Sequence, residues 1–191
     1  MPYSPAHKEK TRDRILQSAR VLFSMKGFEA VTVNDVMKDC SLTRGAFYAH
    51  FKSKAELYQQ ALSYSAKNTE LARLKPAEFS SKQWLSKLLD AYLSVEHVNG
   101  DRPCPLAFMA TDIALRDDAT KETYTNTYRN MNKLIMGYVG EDNLCDKESV
   151  FALTSMIIGA VAIARTIDDA CLVNSVLTAC REQARQILGG V

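Results

Sequence analysis

Apolar residues recur along most of the chain at helical spacing, and the alternation that marks a half-buried strand is missing. Ile15, Ala19, Leu22 and Phe23 follow a charged run and predict a helix over 8–26, closed by Gly27. Thr32 stands before Val33, Val36 and Met37, with Asp35 three residues on, so a short helix over 33–40 begins at a weak capping box. Thr43 can cap another short helix, 43–50, carrying Phe47, Tyr48 and Phe51. Ser53 with Glu56 opens a fourth.

Beyond Pro76 the pattern lengthens. Ser80 and Gln83 open a helix through Trp84, Leu88, Leu89, Tyr92 and Leu93 that closes near Asn99-Gly100. Pro103 and Pro105 make 102–105 irregular. One helix then carries Leu106, Phe108, Met109, Ile113 and Leu115, and a long one capped by Asp117 or Asp118 runs to about Gly140. Two more, 147–167 and 172–188, end the chain. The prediction is an all-α protein of about nine helices. An N-terminal three-helix unit over 1–52 precedes a larger helical domain over 53–191.

Charge sharpens that division. Residues 1–60 hold 10 Lys/Arg against 6 Asp/Glu, and residues 61–191 hold 14 against 16, so a basic head with a polyanion partner is expected. Cys40, Cys104, Cys145, Cys171 and Cys180 are odd in number and scattered, which points to a reducing compartment. His7, His50 and His97 lie far apart, and no metal or other cofactor is expected. The basic first twenty residues lack a secretory h-region. The uncharged stretch from Val150 to Ala164 falls short of a bilayer span, so a soluble, cytoplasmic protein without a membrane partner is expected.

Two short helices joined by the Ser41-Leu42 turn, after a longer support helix, describe a helix-turn-helix whose second helix enters a DNA major groove. Ser41 and Thr43 offer hydroxyls to phosphate, Arg44 can fork onto a guanine edge, and Gly45 lets the backbone approach closely. Tyr48, His50, Lys52 and Lys54 add phosphate donors along one rim. Phe47 and Phe51 read as core.

The stretch TVNDVMKDCSLTRGAFYAHFKSKAEL, Thr32 to Leu57, with ILQSARVLFSMKGFEA before it, resembles the DNA-binding signature of the TetR family of bacterial transcriptional regulators. The resemblance implies that Thr32 caps helix 2 against the DNA backbone and that Thr43, Arg44 and Gly45 face the groove. Tyr48, His50 and Lys54 match positions that typically grip phosphate. Ala49 departs from the pattern, where members often carry a larger aromatic or polar residue.

Val150 to Ala164 is apolar or small around nearly its whole circumference, so that helix is either interior to the monomer or covered by a partner subunit. The resemblance implies the second: Ile157, Gly159, Ala160, Val161 and Ala164, with Val173, Val176, Leu177, Cys180 and Ala184, would form the interface of a homodimer. It also implies an effector pocket for a small apolar or aromatic molecule, drawn from Trp84, Tyr92, Cys104, Phe108, Met109, Tyr124, Tyr128, Met131 and Met156. The implied function is a ligand-responsive repressor whose partners are a double-stranded DNA operator, a small-molecule effector and a second copy of the chain. Two other classes stand beside it: an architectural DNA-binding protein without a ligand, and a small helical enzyme, for which no nucleophile–base pair or catalytic carboxylate pair is evident. Cys104, between two prolines and ahead of a helix, has a thiolate favoured by the helix dipole and nearby Arg102, and so is a candidate sensor of electrophiles or oxidants.

Overall fold

A computed structural model describes residues 5–67, 75–100, 103–142 and 145–189. The described residues form eleven helices and no strand. Four build a head: α1 (Pro5–Ala30), α2 (Val33–Asp39), α3 (Arg44–Tyr48) and α4 (Lys54–Lys67). Gly27 has φ 76° and ψ 170°, a conformation open to glycine, and it kinks the last turn of α1 away from the rest. The Thr32–Asp35 capping box is complete, with both the hydroxyl and the carboxylate in use. Thr43 stands at the N-cap of α3, but its hydroxyl makes no capping bond. At Ser53 half of the expected box forms: its hydroxyl accepts from Glu56 N, while the Glu56 carboxylate accepts from Lys52 N.

Ile15, Leu16, Ala19 and Phe23 of α1 face Leu57, Tyr58, Ala61 and Leu62 of α4, and Val36, Met37, Phe47 and Phe51 close the head's core. α4, assigned by its sequence pattern to the larger domain, thus packs in the head. Phe23, Phe28 and Tyr58 meet edge-on or stacked at its base.

The body comprises α5 (Ser81–Tyr92), α6 (Val95–Asn99), α7 (Pro105–Phe108), α8 (Ala110–Ala114), α9 (Asp118–Asp142), α10 (Lys147–Thr166) and α11 (Ala170–Ile187). Eleven helices replace the expected nine because two predicted helices are each broken. Leu93 leaves helical geometry and Ser94 caps α6 by accepting from His97 N. Met109 ends α7 and begins α8, and Leu115, expected on that helix's apolar face, is exposed. α10 packs against α6, α7, α9 and α11. By length and composition this 20-residue helix could cross a membrane, contrary to the expectation from its uncharged stretch alone, yet it lies at the middle of the body's core.

Candidate nucleic-acid interface

The turn between α2 and α3 is tight because Ser41 takes a left-handed conformation (φ 53°) and Leu42 N reaches back to Met37 O at 2.8 Å. Arg14 of α1 donates to Cys40 O at the end of α2, and the Cys40 thiol donates to Arg14 O at 3.4 Å, so the support helix pins the turn from below. α3 is thereby presented on one side only. Phe47 is buried, while Thr43, Arg44, Gly45 and Tyr48 are exposed. A Cβ built on Gly45 would meet nothing nearer than Thr43 Oγ1 at 3.9 Å, so the fold itself does not demand glycine there.

Thr32, Arg44 and Lys54 come together around a shallow depression that also takes in Val33 and Asn34. Asn34, exposed on the first turn of α2, was missed by sequence reasoning, although its place two residues beyond an N-cap was a usable signal. The Thr32 hydroxyl is committed to Asp35, donating at 2.6 Å and accepting from Asp35 N at 3.1 Å. The Thr32 side chain is therefore spent on fixing the start of α2. Lys54 lies with its ammonium 4.1 Å from the Phe28 ring centre. Lys52 is exposed on the same rim.

His50 is half-buried with Nδ1 shielded and unpartnered. Burial holds its pKa below the usual value, and Lys8 and Arg12 push the same way. The first turns of α1 therefore add positive potential to this rim. Arg12 itself lies against the Phe51 ring and donates to Gln60.

Residues 15–61 match the model of "Bacterial regulatory proteins, tetR family". An uncharacterized HTH-type transcriptional regulator of Bacillus subtilis, YerO, is 38% identical over 81 residues, which is 38% of this chain and 28% of that one. The fold of the whole is similar to a TetR transcriptional regulator from Legionella pneumophila, with a TM-score of 0.77, 20% identity, and 98% and 100% of the two chains covered. It is also similar to a putative transcriptional regulator from Saccharomonospora viridis in complex with choline, with a TM-score of 0.68, 18% identity, and 91% and 95% covered. Residues 15–61 thus carry the DNA-binding segment of the tetR family, and the rest of the chain shares the fold of these solved regulators. It spans less than two thirds of the length of the curated relatives first matched. Those relatives are named as transcriptional regulators.

In the body the expected site residues divide. Tyr92, Cys104, Phe108, Met131 and Met156 pack together against the body's core. Tyr92 OH and Cys104 Sγ are 3.1 Å apart, and the His97 ring stands 4.7 Å from that of Tyr92 with its Nε2 buried and unpartnered. Tyr124 donates to Leu106 O at 2.8 Å, and Tyr128 OH joins Thr154 and Ser155 between α9 and α10. Met109 and Trp84 do not belong with them. Met109 is wholly buried in the head's core, and Trp84 packs on Phe79. Cys104 also departs from expectation: burial pushes its thiol up, against the favoured thiolate that its position at a helix start suggested. Cys171 is exposed.

The residues expected at a dimer interface divide too. Ile157, Ala160, Val161, Ala164, Val173, Leu177 and Ala184 are buried inside the single chain, because α10 and α11 turn these positions on each other and on the body's core. Gly159, Val176 and Cys180 are half-buried at the edge of that seam. The outward face instead carries Phe151, Ser155 and Ile163 on α10 and Leu172, Ser175 and Ala179 on α11.

Proposed function

We propose that the chain is a ligand-responsive repressor that works in the cytoplasm as a homodimer on a two-fold DNA operator. One observation carries the DNA-binding part: Thr43, Arg44, Gly45 and Tyr48 stand exposed on α3, and none of their side chains makes a hydrogen bond to the described chain. In this reading Arg44 reads a base edge, Ser41, Thr43 and Tyr48 meet phosphates, and His50, Lys52 and Lys54 form the rim, with Thr32 orienting α2. The reading unit runs from α1 through α4, since α4 shares the head's core. Two copies place their α3 helices about 34 Å apart when they meet through the outward faces of α10 and α11.

The effector pocket of this proposal lies among Tyr92, His97, Cys104, Phe108, Met131 and Met156, where aromatic faces and a thioether pair suit a small, flat, apolar molecule. Binding there shifts the two heads off the operator spacing and lifts repression. The experiment is selection of bound duplexes from a random pool, followed by titration of small aromatic molecules into the fluorescent complex. A two-fold sequence released by a molecule supports the reading. A two-fold sequence that no molecule releases favours the architectural alternative, and selection of no sequence ends the proposal.

A further inference from the structure

The segment from Cys104 to Arg116 has one end in each core. Cys104, Ala107 and Phe108 pack with the body, whereas Met109 and Ile113 are buried among the head's side chains. At the body end the Arg165 guanidinium lies 4.9 Å from the Phe108 ring centre, and between the ends Leu106 O accepts from Tyr124 of α9, whose ring packs against the head's core. At the head end a single carboxylate oxygen, Asp112 Oδ2, accepts from Phe28 N at 3.0 Å and from Tyr58 OH at 2.6 Å. The Tyr58 bond has the length of a charge-assisted O–H···O contact, and the Phe28 bond that of an ordinary amide donor. Arg116 braces the same spot, bonded to Glu29 and 4.9 Å from the Phe28 ring centre. Lys54 stands over that ring as well.

Phe28 follows the Gly27 kink, so its backbone and ring have no helix of their own to fix them on that side. The Phe28 N–H is held by Asp112, and its ring packs on Phe23 and on Tyr58, which Asp112 also holds. We propose that Asp112 is the positioning residue of the DNA grip: by holding Phe28 and Tyr58 on one oxygen it sets where Lys54 and the start of α4 stand relative to α3. A displacement of 104–108 in the body then reaches the phosphate-facing ammonium through one side chain. The proposal rests on the DNA-binding reading above, and it adds the residue through which the body governs that site.

The test combines hydrogen exchange on the DNA-free protein with anisotropy titration on a duplex selected by the parent. Asp112→Ala should expose the Phe28 amide to fast exchange and weaken duplex binding tenfold or more, with the active fraction from stoichiometric titration unchanged. Asp112→Asn keeps an oxygen that can accept both bonds, so it should restore Phe28 protection and most of the affinity. Tyr58→Phe preserves volume and removes one bond, and a two- to fivefold loss is expected. It serves if Asp112→Ala does not fold. Equal affinity in a folded Asp112→Ala, equal affinity in Tyr58→Phe, or a loss of affinity with Phe28 protection intact overturns the proposal. A parent that selects no duplex overturns the DNA-binding reading and this proposal together.

Discussion

Arg44 opens α3 with its guanidinium in solvent, and an arginine so placed can bond a guanine edge through two parallel N–H groups. Arg44→Ala should therefore lose about 1–3 kcal/mol on the selected duplex and flatten base preference at one position. Lys54→Ala should weaken binding to all sequences alike and lower the salt slope by about one. Anisotropy titrations on matched and scrambled duplexes at several salt concentrations separate the two. His50 makes a pH-dependent case. Its folded-state pKa is depressed, by burial first and then by Lys8 and Arg12, so the unfolded chain holds more protons and stability falls as pH drops through the ordinary histidine value. A phosphate beside the ring acts in the opposite sense by favouring the imidazolium. Operator affinity should then rise as pH falls from about 7 to about 6, and His50→Gln should remove that rise. An affinity with no pH dependence in the parent would place His50 away from phosphate.

Among the elements, the link between α1 and α2 is the one whose geometry depends on a single residue type. Gly27 at φ 76° and ψ 170° has no atom within 4 Å of a built Cβ, so Gly27→Ala meets no clash and its whole cost is backbone strain, about 1–3 kcal/mol. Thermal melts should show that loss. Operator affinity should fall with it, because the Phe28 backbone is displaced. Helix starts were the most legible features of the sequence. Thr32, Ser80 and Asp146 each accept from a backbone N–H three residues on, and such a cap is written in adjacent residues. Breaks inside apolar runs were not legible. Leu93 and Met109 are ordinary helix formers, buried in the body's core and the head's core, and nothing in the residues beside them marks a break. Asp112 was missed for the same reason. Its role depends on partners 84 and 54 residues away in sequence, and no local pattern announces them.

On the scale of the whole molecule, the sequence showed that α10 must be buried but not by what. An all-round apolar helix is compatible with an interior place or a partner; in the fold one side closes the body's core and the other remains open. Phe151 is 39% exposed, Ile163 55% and Leu172 49%, a row of large apolar groups along two adjacent helices. Ser155, Gly159 and Ala179 lie between them and would let a second pair of helices approach closely. Interface tests therefore belong on this face and not on the buried seam. Ile163→Glu should leave a single chain folded, since its side chain already meets water, but should set a charge opposite apolar groups of a second copy and abolish the dimer. Gly159→Arg is the steric counterpart, because a Cβ at Gly159 meets nothing within 4 Å in its own chain. Val176→Glu differs: it reaches into the half-buried edge between α10 and α11, so it should lower the melting temperature as well. Sedimentation at several concentrations with parallel melts distinguishes the three. Folded monomers from the first two variants, with operator binding lost in step, are the expected result. A folded, unchanged dimer from both would move the interface off α10, and with it the spacing that two α3 helices need to read one operator.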